Sequence, residues 1–351
     1  MGRILTCTWA PTALTGPQLL FGAPRPSPLA ALSGPELRER LLGPVRSAEA
    51  LGVDFLLVAQ RWWGTGVEIE AATFDCFAMT AFYAAHTERV RLITAVHPGF
   101  VLPAVAAKWG ATIDRLTGGR WAINVTSGWH EQEFGMFGAT LIPHDERYER
   151  SGEFVDVLRG AWAGGPSSFR GRYYEVDGLI IDPPPSGPLT VFQGGQSDAA
   201  LAMAAERSDW MFLNGGRPAK IGGIIERARA AAVARGRTLQ FALYAIPLCR
   251  PTDAEAEAVV EAMVEARDPA KLAARRSRVA GAEGMWAPSD DPLTALDSNE
   301  GFASRLIGSP ETIYQRILAF HRMGVDCFHM PLFDPLFVSE VLPRLREAHA
   351  D

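Results

Sequence analysis

Ala111-Thr112-Ile113-Asp114-Arg115-Leu116-Thr117-Gly118-Gly119-Arg120-Trp121-Ala122-Ile123-Asn124-Val125-Thr126-Ser127-Gly128-Trp129 runs a helix end, a turn and a strand together without a gap. Apolar residues over Leu102–Leu116 are spaced for an amphipathic helix, and Gly118-Gly119 breaks it. Trp121–Val125 is then a short apolar run of strand type, which delivers Ser127-Gly128-Trp129 into the next loop. The same alternation extends outward in both directions. Strand-like runs occur at Ile4–Thr8, Phe55–Val58 and Val90–Val96 upstream, and at Leu189–Phe192, Trp210–Leu213, Phe241–Leu248 and Cys327–Met330 downstream. With Trp121–Val125 they make eight, the number that a closed parallel barrel requires.

Amphipathic helices are predicted between them at Glu36–Leu51, Tyr148–Trp162, Asp198–Ser208, Ala219–Arg235, Thr252–Arg267 and Pro310–Met323. Ser33-Gly34-Pro35 caps the first; Ser309 caps the last and Gly324 closes it. The expected fold class is therefore α/β, a (β/α)8 TIM barrel forming one domain over residues 1–351. Three stretches interrupt it, at approximately 15–33, 166–185 and 269–300. The second has the composition of an inserted hairpin. The third is long, charged and irregular, which suits a lid loop and equally a surface excursion.

Composition narrows the function. A chain of 351 residues, 48% hydrophobic, can bury one large core. Its net charge of −6 argues against a nucleic-acid partner, which needs clustered lysine and arginine. Cys7, Cys76, Cys249 and Cys327 are scattered without a C-x-x-C pair, so no metal site or redox dithiol is indicated, and each is expected as a small apolar residue of the barrel wall. No apolar run has membrane length and no leader pattern is present, so a cytoplasmic protein without membrane contact is expected.

Three motifs carry chemistry. Asn124 is a polar group near the end of an apolar strand, where barrels place ligand-facing residues, though it also reads as a satisfied core asparagine. Val191-Phe192-Gln193-Gly194-Gly195-Gln196-Ser197-Asp198 ends a strand in two glycines and opens a helix. Free N–H groups there suit a phosphate, and an ordinary turn with an N-cap explains the same residues. His144-Asp145-Glu146-Arg147-Tyr148 stands at a helix start, where Arg147 and Tyr148 have the right chemistry for a phosphate.

Together these segments resemble the bacterial-luciferase-like flavin monooxygenases over nearly the whole chain, nearest to the dimethylsulfone monooxygenase branch, with alkanesulfonate and pyrimidine-ring-opening monooxygenases as wider relatives. The resemblance is carried by Ala107–Asp114, Gly118-Gly119-Arg120, Asn124–Trp129, Glu133-Phe134, His144–Tyr148, Phe192–Gly195, Ser208-Asp209-Trp210, Asn214-Gly215, Glu283–Ala287 and Asn299–Phe302. It implies a two-component enzyme using FMN as FMNH2, with O2 as co-substrate and a separate NAD(P)H-dependent flavin reductase as partner. Asn124 would contact the flavin ring near the oxygen-reacting position, and Glu133 would help hold the flavin. Gln60 and Arg61 would line the ring or substrate side. Arg147, Tyr148 and Ser197 would surround the phosphate at the Gly195 turn. Relatives form dimers or tetramers, so a homodimer or homotetramer is expected.

The departures concern the substrate. Alkanesulfonate enzymes carry an arginine and a histidine on the seventh strand, where this chain has Tyr244 and Ile246; a lid arginine aligns with Asn299, and a tyrosine after the last strand with Phe333. Burying a sulfonate without a cation is costly, so a small neutral sulfone ranks higher, cleaved to a sulfinate and an aldehyde. Arg61 and Arg305 remain as cations able to offset that. Trp9, Trp62, Trp63, Trp286 and Phe333 are candidates for apolar substrate walls, or are ordinary aromatics. His97, ending the third strand, is the nominated proton-handling residue or a structural histidine. His130 and His144 fit backbone-orienting roles, and His329 is readable as facing either way. The alternatives are an alkanesulfonate or heterocyclic amide as substrate, a deazaflavin-dependent hydride transferase, and a flavin-binding barrel without catalysis.

Overall fold

Phe55-Leu56-Leu57-Val58 is buried at every position, as a strand must be when helices cover one face of a sheet and a core fills the other. The computed structural model describes residues 2–13, 19, 32–62, 73–278 and 290–347. In it eight such strands close into a barrel: β1 (Leu5–Ala10), β2 (Phe55–Val58), β3 (Arg91–Val96), β4 (Trp121–Val125), β5 (Val191–Gly194), β6 (Trp210–Leu213), β7 (Gln240–Tyr244) and β8 (Cys327–His329). Around the barrel they follow chain order, β8 returns beside β1, and every pairing is parallel.

Side chains alternate across a strand, so the inward set is legible from the core. Cys7, Leu57, Ala95, Ala122, Phe192, Trp210, Ala242 and Cys327 share one buried cluster inside the barrel. Two residues further along their strands, Trp9, Asn124, Phe212, Tyr244 and His329 point the same way, one layer nearer the C-terminal mouth. Beneath them Phe192 stacks on Trp210 (5.2 Å, 17°) and meets Phe55 edge-on (5.6 Å). Such pairs contribute ~0.5–1.5 kcal/mol each beyond area burial and make a solid floor.

Several elements differ from their expected form. The seventh strand stops at Tyr244 instead of continuing to Leu248. The N–H groups of Ile246, Leu248 and Arg250 pair instead with the carbonyls of Gly301, Leu306 and Gly308, so this chain leaves the barrel to hold the segment that follows residues 269–300. Pro269–Arg278, expected as irregular loop, is helical. Only Cys7 and Cys327 stand in the barrel wall; Cys76 opens a helix, Cys76–Ala84, that the periodicity did not suggest, and Cys249 pairs beside Gly308. The inserted hairpin is present, with Ser167–Arg170 antiparallel to Glu175–Leu179. Its turn is bound by the Glu153 carboxylate, which accepts from the N–H groups of Arg172, Tyr173 and Tyr174 at 2.7, 2.8 and 3.1 Å. Tyr174 Oη donates to the Pro98 carbonyl at 2.6 Å, so the hairpin buttresses the loop after β3. Among the described residues no helix is long and apolar enough to cross a membrane, and no cluster of three or more His, Cys, Asp or Glu is placed to hold a metal.

Candidate active site at the barrel mouth

The polar side chains at the C-terminal ends of β2, β3 and β4 converge. Gln60, just beyond β2, accepts from the His97 backbone N–H at 2.6 Å through Oε1, while its buried Nε2 has no partner. His97, just beyond β3, is 3% exposed and lies nearly parallel to Phe100 and Phe134. Burial, aided by the charges of Arg61 and Arg150, pulls its imidazole down to about 3. The nominated proton-handling residue is thus a neutral imidazole here, with Nδ1 unbonded. Asn124 is 6% exposed, reaches Thr126 Oγ1 only at 3.4 Å, and has no partner for Oδ1. Glu133 joins two loops: its Oε1 accepts from the Trp62 N–H at 2.6 Å. That fixes Trp62, whose ring packs against Phe100 and Phe137. His130 caps the short Glu131–Met136 helix by accepting from the Glu133 N–H at 3.1 Å, a backbone-orienting role.

The Gly-Gly turn after β5 has the close approach that its sequence suggests. Gly195 adopts φ +131°, and a Cβ there would fall 2.5 Å from Tyr148 Oη. Tyr148, Gly195 and Ser197 are therefore adjacent, although Tyr148 comes from the distant His144–Trp162 helix. Ser197 is the N-cap of Asp198–Arg207, its Oγ accepting from the Ala200 N–H at 3.3 Å. Arg147, one residue before Tyr148, turns toward the loop after β4 and donates to the Gly128 carbonyl at 2.5 Å. Neighbouring residues on a helix point in different directions, which parts these two. Gln193 is fully satisfied, donating to the Ala200 carbonyl and accepting from Ser208 Oγ. Gln196, not singled out from sequence, keeps a buried Oε1 without a partner, and so does the Arg150 guanidinium at Nε and Nη2.

The opposite arc, β6 to β8 and β1, is aromatic. His329 lies between Trp9 (4.4 Å between ring centres), Tyr244 (5.2 Å) and Phe212 (5.7 Å). It is 2% exposed, burial pulls it down to about 3, and Nε2 has no partner. The chain around Gly301 packs on this arc, for a Cβ at Gly301 would meet Tyr244 at 2.7 Å. Asp297 lies behind, its carboxyl raised to about 6 by burial against the lowering effect of the Gly301, Asn299 and Phe302 N–H groups. Arg275, on the Pro269–Arg278 helix, covers the Trp129 ring at 5.2 Å and donates to the Ser298 carbonyl, so this helix reaches the β4 side of the mouth. Arg305 is engaged with Asp291 through two contacts of 3.1 Å. Phe333 is 51% exposed. Trp63 and Trp286 lie outside the described residues.

The mouth is thus divided into a polar arc and an aromatic one. Six side chains there (Gln60, His97, Asn124, Arg150, Gln196 and His329) present buried polar atoms without a partner among the described residues. A buried polar atom left without any partner costs ~1–3 kcal/mol, which water or a ligand at the site relieves. A fold tolerates this where a polar ligand completes the bonding.

The chain has relatives among known proteins. The family model described as luciferase-like monooxygenase matches residues 24–327. The chain is 38% identical over 318 residues to the FMNH(2)-dependent dimethylsulfone monooxygenase of Pseudomonas fluorescens (strain Pf0-1), covering 86% of each chain. It is 30% identical over 277 residues to pyrimidine monooxygenase RutA of Stutzerimonas stutzeri (strain A1501), covering 76% of each. Among solved structures, EDTA monooxygenase from Chelativorans sp. BNC1 has the same fold, with a TM-score of 0.75 at 22% identity over 99% of this chain and 94% of that one.

Proposed function

The chain belongs to the luciferase-like monooxygenase family, and on that premise we propose that it is a two-component enzyme that uses reduced FMN and O2 to oxygenate a small neutral organosulfur molecule, a sulfone. The observation that carries this is the polar arc over β2 to β5. Its unbonded atoms at Gln60, Asn124 and Gln196 suit the edge of a flat heterocycle, and the Gly195 cradle beside Tyr148 and Ser197 suits its phosphate. The residues present therefore fit FMN. Asn124, Gln60 and Arg61 would hold the ring, with Glu133 fixing the Trp62 wall, and Tyr148, Gly195 and Ser197 would hold the phosphate. Arg147 would act from the Gly128 side, through the β4 loop that it anchors.

Reduced FMN supplies two electrons for the reduction of O2. For dimethyl sulfone, the chain's task is to orient one C–S bond toward the site of oxygen activation. One oxygen atom forms a C–O bond with the methyl carbon while one C–H bond and the C–S bond of that carbon break, releasing formaldehyde, methanesulfinate and a proton; the other oxygen atom leaves as water. The aromatic arc and the lid exclude bulk water from this chemistry. A neutral substrate agrees with Tyr244 standing where a sulfonate enzyme has an arginine, and with Arg305 being committed to Asp291. A flavin reductase of NAD(P)H type is the partner that such chemistry requires.

The test is oxygen uptake by the purified protein with FMN, NADH, a flavin reductase and dimethyl sulfone. Stoichiometric sulfinate and formaldehyde are expected. Absence of substrate-dependent oxygenation, with anaerobic hydride transfer to a deazaflavin instead, would overturn the proposal in favour of a deazaflavin-dependent hydride transferase.

A further inference from the structure

We infer that His329 recognises the polar group of the substrate: from within the aromatic arc it makes one hydrogen bond to an oxygen of a small neutral molecule. This rests on the monooxygenase function proposed above and adds to it the residue that selects the substrate.

The case begins with what a structural histidine looks like in this chain. His321 is buried, and both of its ring nitrogens are bonded, Nδ1 to the Val325 carbonyl at 2.8 Å and Nε2 to the Gly2 carbonyl at 2.9 Å. His329 is more deeply buried, at 2% exposure against 8%, yet its side chain makes no hydrogen bond among the described residues. A buried, unbonded imidazole costs free energy that an alanine or phenylalanine would not, so its position needs a partner that the chain does not supply.

Its place in the barrel indicates which partner. The strands that carry the proposed FMN contacts, β2 to β5, are contiguous, and β8 lies across the barrel from them, flanked by β1 and β7. Three aromatic rings, Trp9, Phe212 and Tyr244, surround His329, and aromatic rings select apolar groups such as methyls. A molecule with methyl groups around a strongly polarised oxygen matches that combination. Burial keeps the imidazole neutral, so it offers a hydrogen bond without a charge. Arg217 and Arg305 of the neighbouring segments are both bound to Asp291, so a sulfonate placed in the aromatic arc would give up its hydration without either of them as an ionic partner. The arc therefore favours sulfones over sulfonates.

Two variants separate recognition from packing. His329→Phe keeps a ring in the arc and removes the hydrogen bond, whereas His329→Gln keeps an amide near the same place. Binding of dimethyl sulfone and of methanesulfonate is followed by isothermal titration calorimetry, and turnover by sulfinate release. For His329→Phe, a rise of about ten-fold in both the Kd and the KM for dimethyl sulfone is expected, the size of one lost hydrogen bond. FMN affinity should not change, and His329→Gln should recover part of the loss. Unchanged Kd and KM in His329→Phe, or a loss confined to FMN affinity, overturns the inference. Wild-type protein that binds dimethyl sulfone through His329 without oxygenating it upholds this inference and refutes the function above. Wild-type protein that does not bind it refutes both.

Discussion

Replacing Gly195 with alanine probes the phosphate end of the site with a single methyl. At φ +131° an L-residue is strained by ~1–3 kcal/mol whatever surrounds it. The new Cβ would also stand 2.5 Å from Tyr148 Oη and 2.9 Å from the Ala200 Cβ, where ordinary contact begins at 3.4 Å. Tyr148 must therefore retreat by about 1 Å, or the first turn of Asp198–Arg207 must shift, an overpacking cost of another ~1–3 kcal/mol. The sum is roughly 2–6 kcal/mol. At about 1.4 °C per kcal/mol for a chain of 351 residues, a fall in Tm of roughly 3–8 °C is expected. Gly194→Ala is the matched control, because a Cβ there meets nothing within 4 Å and its φ is not positive. Thermal scans of the cofactor-free proteins, followed by FMN titration, separate the two. Gly195→Ala should melt well below Gly194→Ala and bind FMN at least about ten-fold more weakly, since Tyr148 has moved. If the two variants melt together and bind FMN alike, the close approach at Gly195 does not form and the phosphate assignment loses its basis.

Other perturbations test the remaining parts of the site. Asn124→Ala should lower oxygenation far more than FMN affinity, whereas Ser197→Ala should mainly weaken FMN binding and remove ~1 kcal/mol of N-cap stability; equal wild-type turnover in both refutes the assignments. His97 and His329 titrate near 3 when folded and near 6.5 otherwise, so the unfolded chain takes up more protons between those values. Their contribution to stability is complete above about 6.5 and declines by ~1.4 kcal/mol per pH unit for each histidine as the pH falls toward 3. Asp297, raised from 3.8 to about 6, acts in the opposite sense: its contribution is complete below 3.8 and is lost as the pH rises through 6. Urea midpoints between pH 7 and 4.5 should therefore fall on acidification, and His329→Phe should flatten that dependence by ~1.4 kcal/mol per unit below pH 6.5; an identical slope in variant and wild type would show that His329 is not buried neutral.

The barrel was legible because it is written in local periodicity. Eight apolar runs and the helices between them are each specified by residues close in sequence, and the closed parallel sheet follows once they are counted. Boundaries were less legible where pairing decided them. Nothing in Phe241–Leu248 marks Tyr244 as the last barrel residue; the carbonyls of Gly301 and Leu306, far along the chain, draw the strand away. The Pro269–Arg278 helix was hidden for a different reason. It is short and strongly charged, and its hold on the fold is made by Arg275 over Trp129 instead of by an apolar stripe.

By itself, then, the amino-acid sequence determined the α/β class, the Gly-Gly turn at a helix start, and the absence of an arginine at the Tyr244 position. Tertiary structure alone decided which polar groups lack partners. Gln193 and Gln196 stand three residues apart and are chemically identical, yet one is bonded to Ala200 and Ser208 and the other keeps a buried oxygen unbonded. His321 and His329 differ in the same way. Hydrogen-bond satisfaction depends on groups brought together from distant parts of the chain, and a three-residue strand such as Cys327–His329 is too short to reveal from its own pattern which face is inward. Only the closed barrel, by placing β8 between β7 and β1, turned His329 into the aromatic arc.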